Sequence, residues 1–163
     1  MKRWTGFALA AVVFIAAAGA GTAAWLLAYP AGSTLPQISV YSHGTSTRVG
    51  PFLYCNVTNL NDCSQPGTQG EVRVVKDEPV QLSVPAAISQ APWRLVEGYS
   101  DERNSTATIF RPDARMAVTL PTVDPQRGRM VGVVVQLLTM VSDPSGELFD
   151  LPHAEWSVQL VWN

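Results

Sequence analysis

A run of two dozen apolar residues, 6–29, stands directly behind Lys2 and Arg3. It decides how much chain is left to build a domain and on which side of a membrane that domain lies. The run is long enough to cross a hydrocarbon layer of about 30 Å as a helix rising about 1.5 Å per residue. Trp4 and Trp25 lie near its ends, where interfacial anchors belong. A basic end stays cytoplasmic, so the chain beyond the run is expected to be exported. A signal peptide is the other reading, with an apolar core at 7–18 and small-residue sites such as Ala18-Gly19-Ala20. Apolar character resumes at Trp25-Leu26-Leu27-Ala28, which favours an uncleaved signal anchor. The expected organisation is a cytoplasmic tip (1–4), a transmembrane anchor (5–29), a linker (30–36) and an extracytoplasmic domain (37–163). The domain then contacts the plasma membrane through the N-terminal helix, or is secreted if the anchor is cleaved.

The exported part is one ordinary domain of about 130 residues, with enough chain for a proper core. It carries nine basic residues against thirteen acids, a net charge of −4. Eight of the nine are scattered arginines, and Lys76 is the lone lysine. That balance excludes a basic nucleic-acid surface and gives no support to an acidic-lipid patch. Cys55 and Cys63, both on the exported side, are the chain's two cysteines, and a disulfide between them is the default there. They enclose a polar loop that needs a staple. No histidine lies within ten residues of either, so a metal reading lacks ligands.

Patterning beyond the anchor has a period of two. Trp156, Val158, Leu160 and Trp162 alternate with Ser157, Gln159 and Val161, and Val80, Leu82 and Val84 with Gln81 and Ser83. Residues 130–141 read MVGVVVQLLTMV, apolar on both faces apart from Gln136 and Thr139, as for a central strand covered on each side. Turn chemistry at Asp77-Glu78-Pro79, Asp124-Pro125-Gln126-Arg127-Gly128 and Asp143-Pro144-Ser145-Gly146 divides the strands. An all-β, immunoglobulin-like sandwich of about seven strands is expected, with Trp93 as a core tryptophan of the third or fourth strand. Met116, Met130 and Met140 fall inside apolar patterns and read as core filler. The parity of Trp156 and Trp162 makes them core rather than a sugar-stacking platform.

Motifs for chemistry are missing. The chain has no G-x-S-x-G elbow, H-E-x-x-H helix, phosphate-binding glycine loop or dinucleotide fingerprint, and no cofactor is indicated. His43 and His153 are the two near-neutral bases; a triad would need one of them beside a serine or cysteine, with Asp150 or Glu155 as orienter. Loop histidines more often bond backbone groups. His43, Asp124, Arg127, His153 and Glu155 are therefore candidate loop contacts, with neither catalytic nor metal-binding roles. The reading is a non-enzymatic envelope module that binds another envelope protein, a lipid or a glycan. A small exported hydrolase using a loop histidine, or an exported metal-binding or inhibitor protein, is the alternative.

The blocks GPFLYCN, PVQLSVPAAISQAPWRLV, VTLPTVDPQRGRMVGVVVQL and GELFDLPHAEWSVQLVW carry a resemblance across residues 37–162. Together they resemble a family of uncharacterised conserved exported proteins of mycobacteria and related actinobacteria, a domain of unknown function. The resemblance implies a cell-envelope location and supplies no activity, ligand or catalytic residue.

Overall fold

The computed structural model describes residues 35–101 and 104–162; the expected cytoplasmic tip and transmembrane segment lie outside them. Among the described residues no helix is long and apolar enough to cross a membrane. They build two sheets and one four-residue helix, α1 (Ala86–Ser89). The strands are β1 (Ile38–Ser42), β2 (Thr45–Val49), β3 (Leu53–Asn56), β4 (Asn59–Ser64), β5 (Gln69–Val74) and β6 (Val80–Ser83). After the helix come β7 (Trp93–Tyr99), β8 (Thr106–Phe110), β9 (Ala117–Leu120), β10 (Val123–Asp124), β11 (Gly128–Ser142) and β12 (Leu148–Trp162).

The smaller sheet has the order β2-β1-β6-β9 and the larger the order β4-β3-β12-β11-β7-β8, with β10 on β11 and β5 on β12. All pairings are antiparallel except β5 on β12, where Gln69 to Val74 run parallel to Ser157 to Trp162. The period of two makes this a sandwich. Ile38 and Val40 of β1, Val72 and Val74 of β5, Val80 and Leu82 of β6, and Trp156, Val158 and Leu160 of β12 turn one way and are buried together. Their neighbours Glu71, Arg73, Gln81 and Gln159 turn outward and are exposed. Burying such a face is what stabilises a strand whose backbone bonds merely replace those to water.

One close approach joins the sheets. Gly70 of β5 lies under Val49 of β2, and a β-carbon there would stand 2.3 Å from Val49 Cγ2. Only glycine allows β2 and β5 to approach this closely. At the β1–β2 turn both His43 (φ 45°) and Gly44 (φ 76°) are left-handed, the two-residue turn that matches strand twist. The first sequence candidate is thus a turn residue.

Twelve strand segments occur among the described residues where about seven are expected. β2 and β4 escape the alternation argument because their residues are mostly polar and exposed. Trp93 is fully buried, stacked on Phe110 with centroids 4.3 Å apart, but it opens β7. Two further expectations fail. β11 is central, between β12 and β7, yet only one of its faces meets the core: Val131 is 41% exposed and Val134 half-buried, because the described chain lays no second layer on that side. Met130 is core filler, whereas Met116 and Met140 are 54% and 62% exposed. Met116 precedes β9, and Met140 lies on a part of β11 that runs past the sandwich.

Candidate functional site

The five loop candidates fall in separate regions. His43, Asp124 and Arg127 belong to one end of the sandwich, where the β5–β6 and β9–β10 turns meet. His43 Nδ1 lies 2.8 Å from Glu78 Oε2, both side chains about half exposed. Glu78 then lines a cavity of about 270 Å3 with Asp77, Pro79, Pro121, Thr122 and Val123. Asp124 follows Val123, and its carboxylate accepts from the N–H groups of Gln126 and Arg127 and from the Arg127 guanidinium. Those bonds, the Gln126 N–H first, hold its carboxyl below the usual range. Arg127 also stands 6.0 Å from the ring centre of Tyr99. Burial, and then the bond its hydroxyl donates to Glu97, push the Tyr99 phenol up to about 12. Every group here is engaged in shaping a turn or a neighbour.

His153 and Glu155 stand on β12. Leu137 pairs with Ala154 and Leu138 with Pro152, so His153 is the extra residue of a β-bulge. It is 8% exposed, its Nδ1 is 3.2 Å from the Cys55 carbonyl, and its ring meets Tyr54 edge-on. The hydrolase alternative needs a nucleophile in that position. What stands there is a carbonyl, an aromatic edge and Cys55, whose sulfur is bonded to Cys63. Glu155 closes a ladder across the outer face of the large sheet: Arg94 donates to Gln136, and Gln136 donates to Glu155 at 3.0 Å. Among the described residues no group of three or more His, Cys, Asp or Glu could hold a metal ion.

The structure makes His153 a bracing residue for the bulge. Replacing it with Gln, which keeps a donor and an acceptor, is expected to cost no more than about 2 kcal/mol. Chemical denaturation followed by circular dichroism checks this; a larger loss would mean that ring shape, not the bond to Cys55, holds the bulge.

The prominent surface feature is one that the sequence reading misses. β11 leaves β7 at Leu137, opposite Trp93, while its pairing with β12 continues out to Ser142 and Leu148. The two strands therefore project as an arm. Its register places Met140, Ser142, Leu148 and Asp150 on one flank and Thr139, Val141, Phe149 and Leu151 on the other. Met140, Leu148 and Phe149 are 62%, 61% and 47% exposed. β3 runs antiparallel to β12, so the β3–β4 turn points the same way and presents Val57, 54% exposed, alongside. The arm's turn is firm: the Asp143 carboxylate accepts from Ser145 and Glu147 N–H groups and the Ser145 hydroxyl. The Ser145 hydroxyl is the first cause of the lowered acidity range of Asp143. Asp143, Glu147 and Asp150 ring the apolar flanks, and residues 138–152 contain no base. The signal available in the sequence was the apolar character on both sides of the Asp143-Pro144-Ser145-Gly146 turn.

Comparison with known proteins agrees with the resemblance noted above. The family model described as "Protein of unknown function (DUF2771)" matches residues 31–161. "Uncharacterized protein Rv0875c" of Mycobacterium tuberculosis is 58% identical over 162 residues, 99% of this chain and all of that protein. "Uncharacterized protein Mb0899c" of Mycobacterium bovis matches to the same extent. No solved structure matches the chain. Matched by the family model over residues 31–161 and 58% identical to these relatives along almost its whole length, the chain belongs to the DUF2771 family.

Proposed function

We propose that this protein is a non-enzymatic module of the cell envelope, held by a signal-anchor helix at residues 5–29, with its sandwich on the extracytoplasmic side binding another envelope protein. The observation that carries this reading is the projecting β11–β12 arm, with Met140, Leu148 and Phe149 exposed on its flanks and Val57 beside them. Exposed apolar side chains rimmed by polar ones are the ordinary make-up of a contact site. Asp143, Glu147 and Asp150 decide between partners. A bilayer approached tip-first would have to accept these carboxylates ahead of the apolar side chains, which is costly. A narrow ribbon apolar on both flanks instead suits a cleft in a protein whose rim carries Arg or Lys. Two packed, largely antiparallel sheets with a buried Trp93 support an immunoglobulin-like type for the sandwich. Lys2 and Arg3 ahead of the apolar run support its orientation.

Two measurements test the reading. Protease added to spheroplasts is expected to digest the sandwich domain; protection until lysis would reverse the orientation. A photo-crosslinking residue in place of Met140 in the full chain, activated in intact cells, is expected to trap one protein species. The same residue in place of the exposed Ser46, on β2, should trap none. Crosslinks to lipid alone, or equal yields at the two positions, would remove the protein-binding reading.

A further inference from the structure

Exposed apolar side chains collect at one end of the sandwich. The four most exposed large ones among the described residues are Met140 and Leu148 of the arm, Val57 beside it, and Met116. Met116 closes the loop between β8 and β9, a run of exposed residues that reads Arg111-Pro112-Asp113-Ala114-Arg115-Met116. This loop lies at the arm's end of the fold. β8 delivers it from Phe110, which pairs with Trp93, and the same Trp93 pairs with Leu137, where the arm begins. The loop is also firmly seated: the Asp113 N–H donates to the Ser89 carbonyl at 2.7 Å, and the Met116 carbonyl accepts from the Val84 N–H at 2.9 Å.

The two apolar elements carry opposite charge. On the arm, the Glu147 and Asp150 carboxylates are exposed and have no partner among the described residues, and no base stands between 138 and 152. On the loop, the Arg111 and Arg115 guanidinium groups are exposed and likewise have no partner among the described residues. Two arginines against Asp113 leave the loop net positive. Apolar surface rimmed by one sign of charge fits apolar surface rimmed by the other, and here one end of one molecule presents both. We propose that the arm's partner is a second copy of this chain, each arm lying on the 111–116 loop of the other copy about a two-fold axis between the arms. The flank that holds Met140, Leu148 and Asp150 supplies the contact. Met140 and Leu148 then meet Met116 of the second copy, and Glu147 and Asp150 meet its Arg111 and Arg115. This inference rests on the reading of the arm as a protein-binding site and names its partner. The axis repeats the same contact twice, so the assembly closes at two copies and does not propagate.

The test uses the full-length, detergent-solubilised chain with a photo-crosslinking residue in place of Met140. Purified alone, it is expected to give an adduct of twice the chain's mass, joined at the peptide that holds residues 111–116, and nothing larger. Charge reversal on the arm (Glu147→Arg with Asp150→Arg) or on the loop (Arg111→Glu with Arg115→Glu) sets like charges together. Either reversal should lower the yield on the order of tenfold. All four positions are exposed, so the circular dichroism spectrum should not change. Mixing the two reversed chains in equal amounts should restore the yield, because the reversed arm of one meets the reversed loop of the other while native arm meets native loop. An arm that touched its own loop within one copy would not respond to mixing. A ladder of larger adducts, a yield indifferent to both reversals, or no recovery on mixing would overturn the two-fold pair. If the purified chain gives no adduct while Met140 in cells traps a protein of another mass, the second copy falls and the protein-binding reading stands. If lipid alone is trapped, both fall.

Discussion

Trp156→Ala is expected to remove about 3–5 kcal/mol of stability, the cost of truncating a fully buried tryptophan. An ordinary domain has about 5–15 kcal/mol in total, so this variant should be close to unfolding at 37 °C. Trp156 sits at the middle of the core on β12, opposite Val135, with Tyr54 edge-on at 6.2 Å. It also ties the start of the domain down: its indole N–H donates to the Pro36 carbonyl at 2.8 Å. The loss therefore combines a cavity with an acceptor deprived of its partner. A comparison of phenylalanine variants separates the two. Trp93 is equally buried, but among the described residues its indole nitrogen has no hydrogen-bond partner. Trp93→Phe should cost less than Trp156→Phe by about 1 kcal/mol, the worth of one hydrogen bond. Denaturant midpoints of the three variants check the ordering; a Trp93→Phe cost equal to that of Trp156→Phe would show that the bond to Pro36 contributes nothing net.

The second large effect is expected at the disulfide. Replacing Cys55 and Cys63 together by serine should cost about 2–3 kcal/mol, from the freedom returned to the unfolded chain by opening a short loop. The β3–β4 hairpin has little else to hold it. In β4 no residue is buried, and in β3 Cys55 alone is, with Tyr54 packed at the margin of the core. Cys55 pairs directly with Cys63 across the hairpin, and its carbonyl meets His153. Loss of the bond should therefore loosen Val57 and the β3–β4 turn first, visible as faster amide exchange in residues 53–64 than in β11. Exchange that rises evenly over the whole domain would instead place the cost in global stability alone. Peptide mass analysis without reductant should find the two cysteine peptides joined in the native protein.

The legible part of the fold was the part with a regular pattern. Alternation in β6 and β12, and turn residues at Asp77, Asp124 and Asp143, are local signals, readable because side-chain direction has a period of two whatever lies across the sheet. The same reasoning saw Trp156 as core, and the expected exported side made the chain's two cysteines a pair. It did not see β2 or β4, whose residues are mostly polar, because neither forms by burying a face of its own.

By itself the sequence determined an all-β domain behind an apolar N-terminal run, the inward parity of its last strand, the Cys55–Cys63 bond and the family to which the chain belongs. Only the tertiary structure decided which apolar residues stay in water. Met130 and Met140 lie on one strand in equally apolar surroundings, yet Met130 is wholly buried and Met140 is 62% exposed, since β7 ends beside Leu137 and nothing among the described residues covers the strand beyond it. Val131 faces outward for a related reason, as among the described residues no second layer lies over its side of the large sheet. The arm arises the same way. Strand length and sheet order are set by pairing between segments far apart in the chain, and a local pattern carries no record of where a partner strand stops.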